Sequence, residues 1–176
     1  MTEKIIIAGF GGQGVMLLGK VLAEAAMCED KFVTWLPAYG AEVRGGTAHC
    51  MVVISDKGIG SPYIDKADTL IAMNSPSLVR FQDRILAKGL IVSNSSMTPK
   101  HQGKKFSFVH QPFTDIAVKL GNIKVANMVA LGSFMARKKV VAIDTVERVF
   151  QDMAPQGKKE LVEINTRALK EGAALK

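Results

Sequence analysis

The chain has 176 residues, of which 48% are hydrophobic and 22% charged. This composition suits a folded protein with a sizeable core and excludes intrinsic disorder. No apolar run reaches the roughly 18–20 residues of a membrane span. The short apolar run near the N-terminus leads into glycines rather than a signal cleavage site. We therefore expect one domain, residues 1–176, located in the cytoplasm.

Charge and cysteine usage narrow the function classes further. The net charge of +7 favours anionic partners, but the positive residues are scattered and aromatic residues make up only 6%, which argues against nucleic acid. Cys28 and Cys50 form no CxxC motif, and the three histidines lack metal-ligand spacing. We therefore predict no metal site and no iron–sulfur site on this chain.

In chain order, apolar runs typical of strands alternate with helical patterns over the first half. Strands are predicted at residues 4–8, 32–36, 47–55, 69–73, 90–93 and 106–110. The second strand is expected to stop at Pro37. Helices are predicted at residues 14–27 and from Ser75, as N-cap, to about Leu86, with Pro76 in the first turn.

From Thr114 onward the pattern is helical. A short helix ending at Gly121 is followed by helices at residues 123–137, from Asp144, and at residues 158–175. Short apolar strands joined by helices indicate an α/β fold. We expect an open, mostly parallel, Rossmann-like sheet with helices on both faces and a helical C-terminal part.

The first candidate site is a glycine loop at residues 9–14, with the sequence GFGGQG. It follows a predicted strand and opens a predicted helix, which is the context of a phosphate-binding turn. A tight turn that binds nothing would also need glycines. An NAD site is disfavoured, because the second strand ends without the acidic residue that would bind the ribose.

The second candidate site is the stretch at residues 37–47, PAYGAEVRGGT. The loop after the second strand is expected at the same sheet edge as the glycine loop. Arg44 beside Gly45 and Gly46 suits a phosphate, because its guanidinium offers a fork of donors next to bare backbone N–H groups. The alternative is a surface ion pair between Glu42 and Arg44.

Four ordered motifs carry a resemblance to a known family. They are GFGGQG with LGK at residues 9–20, YGAEVRGGT with SP at residues 39–62, NSPSL at residues 74–78, and GN with NMVALG at residues 121–132. Together they resemble the gamma subunit of 2-oxoacid:ferredoxin oxidoreductases, most closely those acting on 2-oxoglutarate and branched-chain 2-oxoacids. Ala41 and Val43 depart from the family's commonest second loop, which has Pro and Met there.

The resemblance implies an activity shared among several subunits. The family oxidatively decarboxylates a 2-oxoacid with coenzyme A (CoA), giving acyl-CoA, carbon dioxide and reduced ferredoxin. Thiamine diphosphate, magnesium and the iron–sulfur clusters are implied on partner subunits, with ferredoxin meeting this chain only indirectly. The implied role here is to contribute to the CoA site and to assembly. No catalytic residue is expected on this chain, which alone should be inactive. Its hydrophobic content and nine methionines predict a separate property, self-association of the isolated chain as a dimer through an exposed apolar face.

The resemblance also implies site residues. Gly11, Gly12 and Gln13 would bind CoA through their amides, Arg44 would pair with a CoA phosphate, and Asn127 would donate a hydrogen bond. Asn127 could equally be a helix residue bonded to a neighbouring loop. Helix capping is the better interpretation for Asn74 and Ser75, which follow the fourth strand.

Two other functions stay open at this point. One is a stand-alone nucleotide-binding module. Two observations count against it: the ribose-binding acidic residue is missing, and the sequence shows no general acid–base pair. The other is a structural subunit in which both glycine loops contact proteins.

Overall fold

The computed structural model describes residues 1–38, 47–99, 106–155 and 157–175. The strands are β1 (Thr2–Phe10), β2 (Phe32–Ala38), β3 (Thr47–Ser55), β4 (Ala67–Ala72), β5 (Ile85–Asn94) and β6 (Ser107–Gln111). The helices are α1 (Val15–Met27), α2 (Ser75–Phe81), α3 (Phe113–Lys119), α4 (Ala126–Arg137), α5 (Ile143–Met153) and α6 (Lys159–Ala173).

The six strands form one open sheet in the order β2-β3-β1-β4-β5-β6. Four consecutive strands of this order are parallel to one another: β1, β4, β5 and β6. β3 is antiparallel to both β1 and β2. β2 therefore runs in the same direction as β1. The expected α/β fold with a mostly parallel sheet and a helical C-terminal part is confirmed.

The two faces of the sheet are covered unequally. Alternating residues of β1 lie on opposite faces. Ile5 and Ile7 belong to the apolar cluster that includes buried residues of α1, α3, α4, α5 and α6, whereas Ile6 and Ala8 belong to the cluster that includes those of α2. This alternation follows from the two-residue period of a strand. Helices cover both faces as expected, but five of the six helices in the described residues lie on one side.

Close backbone packing holds α4 in place. A Cβ built on Gly132 of α4 would collide with the carbonyl oxygen of Leu169, and one on Gly172 of α6 would collide with that of Val129. Only glycine allows two helix backbones to approach this closely. α4, which begins at the sheet edge where the candidate site lies, is thus packed firmly against α6.

Several predicted boundaries were wrong, including the start of β5, which is Ile85 rather than Leu90. β2 continues through Pro37 to Ala38, because β2 is an edge strand, where a missing N–H can face away from the ladder. α2 ends at Phe81 rather than near Leu86, since a short 3-10 turn leads into β5, which starts at Ile85 and pairs with β4.

The start of α2 differs from the prediction by one residue. Asn74, not Ser75, is the N-cap, and its Oδ1 accepts a hydrogen bond from the Ser77 N–H at 2.9 Å. Capping is therefore the structural role of this Asn, as its position before Ser-Pro suggested.

In the parts of the chain that the structure describes, no helix combines the length and apolar character needed to cross a membrane.

Candidate functional site

The glycine loop joins β1 to α1 at the carboxyl edge of the sheet. Gly12 has φ +99° and Gly14, the N-cap of α1, has φ +70°, conformations that favour glycine. A Cβ on Gly11 or Gly12 would meet nothing within 4 Å. These two residues therefore leave an open backbone surface that a ligand can approach closely.

Gln13 ties the glycine loop to the end of β4. Its Oε1 accepts hydrogen bonds from the Phe10 N–H at 2.7 Å and from Nδ2 of Asn74 at 2.8 Å. Its Nε2 donates to the Met73 carbonyl at 3.3 Å and contacts Sδ of Met97 at 3.2 Å. The side-chain amide thus has partners within the chain on both of its polar atoms, and it fixes the shape of the loop.

Asn127 supports the same loop from α4. It is buried, with 2% of its surface exposed, and its Nδ2 donates to the Gly14 carbonyl at 3.1 Å. A Cβ on Gly14 would collide with this amide. The structure therefore places Asn127 against the loop, which is the contact that the helix-to-loop alternative predicts.

A further side-chain amide, that of Asn94, lies at the end of β5. Nδ2 of Asn94 donates to the Met73 carbonyl at 3.2 Å and to Oγ1 of Thr114 at 2.9 Å. The Met73 carbonyl therefore accepts from both Gln13 and Asn94. These bonds connect the ends of β4 and β5 and the start of α3 into one rigid edge, and they fix the Thr114 hydroxyl.

A cleft of about 310 Å³ opens beside the glycine loop. Its lining residues come from the glycine loop, the ends of β1, β4 and β5, and the starts of α3 and α4: Phe10, Gly11, Gly12, Gln13, Met73, Met97, Thr114, Ile123, Lys124 and Ala126. Three of the predicted site residues, Gly11, Gly12 and Gln13, therefore share one cleft. This volume is at the lower end of those of small-molecule sites.

The fourth predicted residue, Arg44, lies outside the described residues, as do Glu42 and the rest of residues 39–46. The described flanks of this stretch are close to the site. Thr47 pairs with Phe10 and Ala38 pairs with His49 across the sheet. The second loop therefore leaves and re-enters the sheet at the edge that carries the glycine loop.

Some of the cleft residues carried no motif in the sequence. Met73, Met97 and Thr114 follow the ends of the parallel strands β4, β5 and β6, and the rule that such ends meet at one edge could have indicated them. Lys124 has no such signal, because it lies in the short turn between α3 and α4.

Two titratable groups near this edge of the sheet are held neutral. Burial raises the pKa of the Cys50 thiol to about 12. Burial, followed by the positive charges of Arg80 and Arg84, lowers the pKa of His49, whose ring lies 4.8 Å from that of Phe81. Neither group is poised as a nucleophile or general acid at neutral pH.

Among the described residues, no group of three or more His, Cys, Asp or Glu side chains could hold a metal ion. Cys28 is exposed on the turn after α1, and Cys50 is buried in β3.

Comparison with known proteins gives the family. The family model described as "Pyruvate ferredoxin/flavodoxin oxidoreductase" matches residues 4–175. The chain is 40% identical over 170 residues to ketoisovalerate oxidoreductase subunit VorA of Methanothermobacter thermautotrophicus, covering 97% of this chain and 35% of VorA. It is 35% identical to 2-oxoglutarate synthase subunit KorC of Methanothermobacter marburgensis, covering 91% of this chain and 90% of KorC. The chain thus spans about a third of VorA and nearly all of KorC.

Solved structures agree. The gamma subunit of a keto/oxoacid ferredoxin oxidoreductase from Geobacter sulfurreducens superposes with a TM-score of 0.85 at 27% identity, covering 98% of this chain and 94% of that one. A 2-oxoglutarate:ferredoxin oxidoreductase from Magnetococcus marinus shares the fold over 98% of this chain and 30% of its own, with a TM-score of 0.90 at 23% identity. The chain belongs to the pyruvate ferredoxin/flavodoxin oxidoreductase family, as its motifs indicated.

Proposed function

We propose that this chain is the gamma subunit of a 2-oxoacid:ferredoxin oxidoreductase, and that the cleft beside its glycine loop forms part of the CoA site. The complex would convert a 2-oxoacid, with CoA, to acyl-CoA and carbon dioxide while reducing ferredoxin. The substrate we expect is 2-oxoglutarate, and the nearly full-length match to KorC favours it. The 40% identity to VorA keeps ketoisovalerate as the alternative substrate.

One observation carries the CoA part of the proposal. Gly11 and Gly12 present bare backbone at the mouth of the cleft, with open space where a side chain would stand. Such a surface allows close approach of a phosphorylated ligand. The Magnetococcus marinus oxidoreductase, which shares the fold, was solved with CoA bound.

The predicted site residues take different roles in this proposal. Gly11 and Gly12 contact CoA through their backbone, and Arg44 pairs with one of its phosphates. Gln13 and Asn127 are positioning residues, because their side-chain amides already bond to Met73, Asn74 and Gly14. They act on CoA through the shape of the loop.

The chemistry itself is assigned to partner subunits. Thiamine diphosphate with magnesium would stabilise the carbanion, and iron–sulfur clusters would carry the electrons. Neither of the two cysteines of this chain lies in a cluster of metal ligands within the described residues.

Purification of the tagged chain from its native host tests the proposal. We expect it to copurify with a thiamine-binding subunit and an iron–sulfur subunit. The complex should reduce a viologen dye with a 2-oxoacid only when CoA is present, whereas the chain purified alone should not. Turnover by the isolated chain, or a purified complex without thiamine diphosphate and iron, would contradict it. Comparing 2-oxoglutarate with ketoisovalerate as substrate identifies the preferred acid.

A further inference from the structure

The cleft beside the glycine loop combines two kinds of surface. Its apolar wall is formed by Phe10, Met73, Met97, Ile123 and Ala126. Its polar residues are Thr114, Gln13 and Lys124, and Lys124 is the single charged residue among the described residues that line it. A site of this kind takes a ligand that has an uncharged arm next to an anionic group.

Lys124 has no anionic partner within the described chain. Its backbone N–H donates to Oδ1 of Asn122 at 3.0 Å, which fixes the turn that carries it. Its side chain is exposed, and no carboxylate of a described residue lies within ion-pair distance of it. No lining residue of the cleft is acidic. The rim of the cleft therefore carries an unbalanced positive charge, which favours an anion there.

We propose that Lys124 binds the diphosphate of CoA at the rim of the cleft and that the apolar wall takes the pantetheine arm. This inference rests on the proposed function. In CoA the diphosphate is joined directly to the uncharged arm, so charge and apolar surface adjoin in the ligand as they do in the cleft. About 310 Å³ can hold much of the arm but not the whole cofactor. The adenosine half and its 3′-phosphate therefore lie outside the cleft.

Thr114 and Ile123 fit this placement. The Thr114 hydroxyl accepts from Asn94 and keeps its own proton free to donate to an amide carbonyl of the arm. Ile123, next to Lys124, is 59% exposed. A bound arm would cover this side chain and remove apolar surface from water.

Three ligands separate the parts of the proposal. The dissociation constants of CoA, dephospho-CoA and pantetheine are measured by calorimetric titration of the assembled complex. Dephospho-CoA lacks the 3′-phosphate, and pantetheine lacks every phosphate. The variants are Lys124→Ala and Lys124→Arg, with Lys119→Ala as the matched control. Lys119 is exposed, carries the same charge, and does not line the cleft.

Loss of the lysine should affect only ligands that carry the diphosphate. Lys124→Ala should raise the dissociation constants of CoA and dephospho-CoA by the same factor, about tenfold, which is typical of one lost charged contact. Pantetheine should bind the variant as it binds the wild type. Lys124→Arg should keep most of the affinity, and Lys119→Ala all of it. Salt should weaken CoA binding more steeply in the wild type than in Lys124→Ala.

Several results would overturn the proposal. The first is an unchanged dissociation constant of CoA in Lys124→Ala. The second is a weaker binding of CoA by this variant with no weaker binding of dephospho-CoA. The third is failure of pantetheine to bind the wild type. A Lys124→Ala complex that fails to assemble would assign the lysine to an acidic partner surface instead. If Gly11→Val weakens CoA binding while Lys124→Ala does not, only this inference fails. If neither variant affects CoA, the CoA role of the cleft fails with it.

Discussion

Nδ2 of Asn127 donates a hydrogen bond to the carbonyl oxygen of Gly14, 3.1 Å away and 113 residues earlier in the chain. This bond joins the first turn of α4 to the N-cap of α1. The glycine loop therefore keeps its shape through a contact that forms only when the helical C-terminal part has packed on the sheet.

Asn127→Ala should lower the stability of the fold. Removing a buried, hydrogen-bonded amide costs about 1–3 kcal/mol in the free energy of unfolding, which chemical denaturation of the purified chain measures. Weaker CoA binding by the complex should accompany this loss, because the loop loses a support. An unchanged free energy of unfolding together with weakened CoA binding would assign Asn127 to direct contact with the ligand.

The two cysteines should differ sharply in reactivity. Burial raises the pKa of Cys50 to about 12, whereas Cys28 is exposed. Because the thiolate is the reactive form, iodoacetamide at neutral pH should label Cys28 and leave Cys50 unmodified until the chain unfolds. Mass spectrometry of tryptic peptides, with and without denaturant, reads out both sites. Labelling of Cys50 in the native chain would contradict its position in the core.

His49 should make stability depend on pH. Its pKa is lowered, first by burial and then by Arg80 and Arg84. The imidazole of His49 has its ordinary pKa of 6.5 in the unfolded chain and a lower pKa in the folded chain. At a pH between these two values the unfolded chain binds the proton more readily. The free energy of unfolding therefore falls as the pH drops from 6.5 through the lowered pKa. Denaturant unfolding of His49→Gln should show a weaker decline between about pH 7 and pH 5. Equal declines in the variant and the wild type would contradict the assignment.

Arg44→Ala should raise the KM for CoA in the assembled complex about tenfold or more, the effect of losing a charge-assisted bond of about 1.5–3 kcal/mol. The KM for the 2-oxoacid should barely change. Arg44→Lys should restore only part of the affinity, because lysine keeps the charge but loses the fork. Glu42→Ala is the control: matching small effects in both alanine variants would indicate a surface ion pair instead.

Much of the fold could be predicted from periodicity. β3 was predicted with its observed bounds, Thr47–Ser55, because a continuous apolar run lies between glycines and an Asp-Lys-Gly turn. The position of β3 between β1 and β2 could not be predicted, since strand order depends on long-range pairing that a local pattern does not encode. The unequal covering of the two sheet faces by helices could not be predicted for the same reason, because it too depends on long-range packing.

The candidate site also has features that could be predicted from the sequence and features that could not. The open backbone at Gly11 and Gly12 could be predicted, because a turn between a strand and a helix that exposes its backbone needs glycine. The contacts of Gln13 and Asn127 could not, since their partners Met73, Asn74 and Gly14 are distant along the chain or depend on packing. Lys124 was missed because an exposed lysine in a turn has no distinguishing pattern.

The central claim, that the open glycine loop binds CoA, is tested most directly by filling it. A Cβ on Gly11 meets nothing within 4 Å, and the same holds for Gly58, which lies in the loop after β3 and does not line the cleft. Neither residue is among the glycines with positive φ, so valine should be accommodated by the fold at both positions. The measurement is a steady-state CoA titration of the assembled complex carrying Gly11→Val or Gly58→Val. The account predicts that Gly11→Val raises the KM for CoA about tenfold or more, with the KM for the 2-oxoacid and the Gly58→Val complex unchanged. An intact Gly11→Val complex with the wild-type KM for CoA would contradict it.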